Sequence, residues 1–186
     1  MKLELSPELL IKAYSHGFFP MPESNGEIHW YRPDPRAILP LDAFHISRSL
    51  SRCIRKKVFT LSFDKNFRQV MEACANRPET WITSEFIELY TELFKRGFAH
   101  SVEVWQDGVL VGGVYGVCLG RAFFAESMFH LKTDASKFAL HALVEKLREK
   151  EFSLLEVQFL TSHLSSLGAI EISHGEYMKM LEKALN

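Results

Sequence analysis

Three polar side chains, Glu126, Glu156 and Gln158, stand inside stretches that are otherwise apolar: AFFAESMF for the first, LLEVQF for the other two. Both stretches read as strands, short apolar runs bounded by turn signals. With a period of two, Phe124, Glu126 and Met128 are expected on one face. Glu156 and Gln158 are likewise expected to share a face with Leu154 and Leu160. Apolar residues on both faces of LLEVQF fit a strand covered on both sides. A carboxylate in such a place needs a partner or a raised pKa, which is how a base for an amine nucleophile is prepared. An amide at position 158 both donates and accepts, so it can orient an amine or polarise a carbonyl. The competing reading is an exposed edge face with no chemistry.

Other chemistries lack their patterns. His16, His29, His45, His100, His130, His141, His163 and His174 show no metal-ligand spacing. Ser127 follows Glu126, but no Gly-x-Ser-x-Gly elbow surrounds it, and no phosphate-binding glycine pattern occurs. Cys53, Cys74 and Cys118 are far apart and odd in number, which fits reduced thiols. The opening MKLELSPELLIKAY does not read as a signal peptide, and no apolar run reaches the ~18 residues of a membrane span. A cytoplasmic protein is expected. With 186 residues, one domain or one domain with a small annex is expected. A net charge of -1 points to no polymeric partner, so any nucleic-acid contact has to come from a local patch.

The elements that would position these residues follow from local signals. Residues 6–17 read as a helix, with Ser6 as cap, Pro7 at the first turn and Gly17 at the exit. Residues 18–36 carry four prolines and read as a loop turning at Asn25–Gly26. Phe18, Phe19, Trp30 and Tyr31 along it are either a stacking surface or a lid over the core. SRSLSRCIRKK reads as an amphipathic helix, with Arg48, Arg52 and Arg55 on one face and Ile46, Leu50 and Ile54 opposite; Lys56 and Lys57 extend its charge. A short strand at 58–63 is expected next, then helices near 66–76 and from Thr83 or Ser84. SVEVWQDGVLVGGVYGV reads as a hairpin about Asp107–Gly108, and Leu119–Gly120 turns the chain into a third antiparallel strand. A helix capped by Asp134 or Thr133, the LLEVQF strand, a short turn and a helix over 176–185 complete the order. This order favours α+β, helices packed on a mixed sheet, and it is also the strand–helix–strand order of GNAT-type acyltransferases. Gly112, Gly113 and Gly116 inside a strand mark places where another backbone or a ligand comes close.

The stretches AYSHGFFP, WYRPDPRAIL, HISRSL, WITSEF, HSVEVW, GGVYGV, AESMF, ASKFAL and LEVQFLTSHLSSLGA run nearly the whole chain. In that order they resemble the leucyl/phenylalanyl-tRNA–protein transferases. The resemblance implies a small N-terminal domain, here 1–41, followed by a GNAT-like catalytic domain, 42–186. It implies transfer of Leu, Phe or sometimes Met from charged tRNA to the N-terminal amine of proteins beginning with Arg or Lys, marking them for degradation, without ATP, CoA or metal. By the same resemblance Glu156 and Gln158 are the expected base and orienter, with Glu126 beside them. Val114, Phe123, Met128, Leu140, Leu143, Leu147 and Leu155 form the aminoacyl pocket. Trp30, Tyr31 and Trp81 stack the terminal adenosine, and Arg52, Arg55, Lys56 and Lys57 hold tRNA phosphates. Glu156 stands where the family has Asp, Ala125 where it has Gly, and Met21 where it has Trp. A transferase of the same fold with another charged tRNA or acceptor, or a weakened tRNA-binding protein, is the alternative. A monomer is the default.

Overall fold

Ser6 starts the first helix: its hydroxyl accepts the Leu9 N–H at 3.2 Å, and Pro7 occupies a position whose N–H has no helical partner. That helix, α1 (Pro7–Ser15), buries Leu10 and Tyr14 and ends before Gly17, whose φ of 78° suits a residue without a Cβ. The computed structural model describes residues 5–23, 27–78 and 80–186.

The stretch expected to be a loop instead forms strands. β1 (Phe19–Pro22) pairs antiparallel with β2 (Ile28–Tyr31), and β3 (Arg36–Ile38) joins the main sheet. In a two-stranded ribbon both strands are edges, so Pro20 and Pro22 can be accommodated without breaking a central ladder. The expected turn at Asn25–Gly26 lies outside the described residues.

The remaining order is α2 (Arg48–Lys56), β4 (Thr60–Phe63), α3 (Phe67–Ala75), α4 (Ser84–Lys95), β5 (Ala99–Gln106), β6 (Val109–Leu119), β7 (Ala122–His130), α5 (Ala135–Glu149), β8 (Leu154–Gln158), α6 (Ser162–Ser166), β9 (Ile170–Ile172) and α7 (His174–Leu185). The main sheet has seven strands in the order β4-β5-β6-β7-β8-β3-β9. Only β7 and β8 run parallel; the hairpins β5–β6 and β6–β7 are antiparallel, as their turn signals require. The fold is thus α+β, a mixed sheet flanked by helices. β3 and β9 are three residues each, too short to show a period.

Two apolar clusters divide between the sheet faces. One gathers α1, α3, α4, α7 and the β1–β2 ribbon around Tyr14, Tyr90, Phe124 and Tyr177. The other gathers α2, α5 and α6 around Val114, Leu140, Leu155 and Val157. Residues before and after position 41 share both clusters. Gly112 lets α5 close onto the sheet: a Cβ there would lie 2.7 Å from the Ala135 Cβ.

Candidate active site

β7 does not keep its alternation. Tyr115 pairs with Ser127 and Gly116 with Ala125, so Glu126 is an extra residue with no partner on β6. Such a bulge turns the following side chains over. Phe124 therefore faces the cluster around Tyr14, whereas Met128 packs in the opposite one. The expected common face of Phe124, Glu126 and Met128 is corrected accordingly. Gly116 makes the bulge possible, because a Cβ at that position would meet the Phe124 carbonyl at 2.2 Å.

The bulge delivers Glu126 to a buried set of hydroxyls. Tyr14 donates to its Oε1 at 2.7 Å, and the Tyr14 and Tyr90 hydroxyls lie 2.6 Å apart. Tyr90 donates more weakly to Oε2 at 3.5 Å. Gln158 donates its side-chain N–H to Oε1 at 3.0 Å. Burial pushes the Glu126 carboxyl up to about 8, the nearby Glu156 charge adds to the rise, and the bonds from Tyr14, Gln158 and Tyr90 oppose it. An α-amino group titrates near ~7.7–8.0, so a proton can pass between the two at little cost. Gln158 sits at a positive φ of 62°. A non-glycine residue held there stores roughly 1–3 kcal/mol of strain, a feature found at functional sites.

Glu156 is placed otherwise than expected. It is fully buried: Arg36 Nε donates to Oε1 at 2.9 Å and Tyr177 donates to Oε2 at 3.2 Å. Both oxygens are bonded inside a fully buried ion pair, so the arrangement does not make it a free base. Arg36 is itself locked by the Gly17 carbonyl at 3.0 Å and lies over the rings of Phe19 and Tyr177, 4.9 and 4.5 Å from their centroids. Burial acts against the Arg36 charge, and the Glu156 carboxylate outweighs it.

β7 and β8 pair only from Ala122 to Phe124 and from Leu154 to Glu156. Where they part, a cavity of about 90 Å³ opens, lined by Val114, Met128, Leu140, Val157 and Leu164, with Glu126 and Gln158 on its wall. Three of the seven expected pocket residues, Val114, Met128 and Leu140, are brought together here. Phe123, Leu143 and Leu147 line a second cavity, and Leu155 a third. Tyr31 reaches the site through a ring chain: it stacks on Phe19 at 5.9 Å, and Phe19 meets the edge of Phe159, next to Gln158, at 5.7 Å. Trp81 meets Phe86 edge-on, and Phe86 stacks on Tyr90. Trp30 and Trp81 are partly buried against the same cluster. Arg48, Arg52, Arg55, Lys56 and Lys57 are exposed, and no carboxylate pairs with them among the described residues. Ile46, expected on the apolar side of α2, precedes the helix and is exposed. Ser49 donates to the Asp134 carboxylate, tying α2 to the start of α5.

Tyr14, Tyr90, Arg36 and Tyr177 were not singled out from sequence. The available signal was a hydroxyl on an inward helix face at Tyr14 and Tyr90, since a buried tyrosine needs a partner. Arg36 offered none, lying at the end of a proline-rich stretch. No group of three or more ligating side chains suited to a metal occurs among the described residues, and no described helix is long and apolar enough to cross a membrane.

Residues 38–182 match a family model described as leucyl/phenylalanyl-tRNA protein transferase, and residues 4–34 match that of its N-terminal domain. A leucyl/phenylalanyl-tRNA–protein transferase of Herpetosiphon aurantiacus is 56% identical over 186 residues, covering 100% of this chain and 97% of its own. Another, of Ruegeria pomeroyi, is 51% identical over 99% of this chain and 89% of its own. Among solved structures, a GCN5-related N-acetyltransferase from Kribbella flavida is similar with a TM-score of 0.47 and 9% identity, covering 90% of this chain and 61% of that one.

Proposed function

The chain belongs to the leucyl/phenylalanyl-tRNA–protein transferase family, and from that premise we propose that it moves a leucyl or phenylalanyl group from charged tRNA to the N-terminal amine of a protein beginning with Arg or Lys. The observation that carries this reading is Glu126, held by Tyr14, Tyr90 and Gln158 on the wall of a small apolar cavity. In the proposed mechanism the aminoacyl side chain enters between Val114, Met128 and Leu140. The acceptor amine attacks the ester carbonyl, the new C–N bond forms, the C–O bond to the tRNA ribose breaks, and the ribose oxygen leaves as a hydroxyl with the proton that the attacking nitrogen gives up. Glu126 takes the proton from the acceptor ammonium. An incoming ammonium with a second positive charge on Arg or Lys favours the ionised carboxylate. Gln158 uses one N–H on Glu126, leaving its carbonyl and second N–H to orient the amine.

Glu156 takes the role of a positioning residue. Its charge raises the Glu126 pKa, and its bond to Arg36 holds β3 against β8. The exposed cations of α2 take the tRNA phosphates, and Trp30, Tyr31 and Trp81 are the stacking candidates for the terminal adenosine. The proposal keeps the division at residues 1–41 and 42–186, with the first part supplying Tyr14 and Arg36. It places the reaction in the cytoplasm, where charged tRNA is found, with a monomer acting alone.

The test mixes the purified protein with Leu-tRNA or Phe-tRNA and peptides starting with Arg, Lys or Ala, and reads peptide mass. Addition of Leu or Phe to the Arg and Lys peptides alone supports the reading. Equal addition to the Ala peptide removes the acceptor preference, and tRNA binding without transfer removes the activity.

A further inference from the structure

The second cavity, about 290 Å³, shares no lining residue with the one at Glu126. Its walls include Phe123, Leu143 and Leu147, and its polar groups are Asp64, His100, Ser101, Cys118, Lys146 and Lys150. Three of these form a chain. His100 stands opposite Gly116 on β6, and Cys118 lies two residues further on, so the two side chains are diagonal neighbours on one sheet face. Gly116 has no side chain to separate them. Asp64 follows β4; its Oδ2 lies 2.8 Å from His100 Nδ1, and its Oδ1 accepts the Ser101 N–H at 2.9 Å. The carboxylate fixes the ring beside the sulfur. The hydrogen bond that His100 donates to Asp64, then the Cys118 sulfur beside the ring, push the His100 pKa up to about 10. The titratable groups facing His100 are Asp64, Cys118, Lys146 and Lys150.

A cysteine, an imidazolium beside it and a carboxylate that holds the ring make a setting for thiol–disulfide exchange. We propose that Cys118 is a modification site, a thiol that exchanges with small anionic disulfides entering this cavity. The proton of the thiol leaves, the sulfur's electron pair forms a new S–S bond, and the S–S bond of the reagent breaks. The leaving half departs as a thiolate that takes up a proton, so one thiol and one disulfide are consumed and one of each is formed. The half-buried position of Cys118 leaves its sulfur reachable. Lys150 has no ion-pair partner among the described residues and offers its charge to a carboxylate on the reagent. Lys146 is shared with Glu149 at 3.4 Å. The other two thiols lack this setting: burial pushes Cys74 up to about 12, and Cys53 lies on α2.

The experiment treats the folded full chain at neutral pH with the dianionic bis-nitrobenzoate disulfide, following thiolate release and locating the adduct by peptide mass. Cys118 is expected to react first, about tenfold ahead of Cys53, and His100→Gln to slow it by about tenfold. Lys150→Glu should slow the anionic reagent and leave neutral dithiodipyridine unaffected. Equal rates at Cys118 and Cys53 in the wild-type chain would overturn the proposal without any variant. So would a His100→Gln or Asp64→Asn protein with native circular dichroism and an unchanged rate.

Discussion

Glu126 is a buried carboxylate held by three polar donors, Tyr14, Tyr90 and Gln158. Its folded pKa of about 8 lies above the ordinary 4.5, so the folded chain holds this proton more tightly than the unfolded one. That contribution to stability is full below the ordinary value and is lost as pH rises through the folded one. Glu126→Gln removes the titration. Its melting temperature relative to wild type should therefore rise between about pH 4.5 and 8 and level off above, as thermal melts across pH would show. Transfer by the same variant should fall by roughly 10²–10⁴-fold, the usual contribution of a positioned base, and wild-type transfer should increase as pH passes through about 8. Arg36 presents the opposite case, a buried charge fully paired. Arg36→Met leaves the Glu156 carboxylate alone in the core and should cost about 3–5 kcal/mol in a urea titration. The double variant Arg36→Met with Glu156→Leu should recover a large part of that loss; no recovery would mean the pair is not the source of the cost.

At the scale of elements, the bulge in β7 and the basic helix α2 do separate jobs. Gly116→Ala puts a methyl against the Phe124 carbonyl. We expect about 1–3 kcal/mol of destabilisation from that clash, together with a loss of transfer at temperatures where the variant is still folded. A folded variant with full activity would show that the bulge does not aim Glu126. For α2, Arg52→Glu and Arg55→Glu should each weaken tRNA binding and reduce the slope of log K against log salt by about 1. Transfer from a short aminoacyl-adenosine donor should stay as in wild type, because Arg52 and Arg55 are exposed and α2 lines no part of the cavity. A loss there would place α2 in the chemistry rather than in tRNA capture.

At the scale of the whole molecule, both ends of the chain close on one cluster. Leu10, Tyr14 and Phe19 share it with Tyr177, Leu181 and Ala184. The last helix begins with a capping box between Ser173 and Glu176, and Tyr177 bonds Glu156 one turn later. A chain cut after Ile172 should lose its cooperative melt, since the Glu156 pair and the packing of α1 lose a side together. A truncated protein with a wild-type transition would show that α7 is an ornament.

Local spacing along the chain was enough for the antiparallel hairpins, the helix at α3, the basic face of α2 and the three polar residues Glu126, Glu156 and Gln158 inside apolar strands. Each of these depends on neighbours within a few residues, where strand and helix periods are visible. The motifs spread over the chain carried the family as well. Folding in three dimensions decided the rest. An extra residue in β7 put Phe124 and Met128 on opposite faces, and nothing in AFFAESMF marks that residue as unpaired. Arg36 finds Glu156 across 120 positions, and Tyr14 finds Glu126 across 112. Whether a carboxylate in an apolar strand becomes a free base or half of an ion pair depends on which distant side chain arrives beside it. Periodicity tells only which way a residue points.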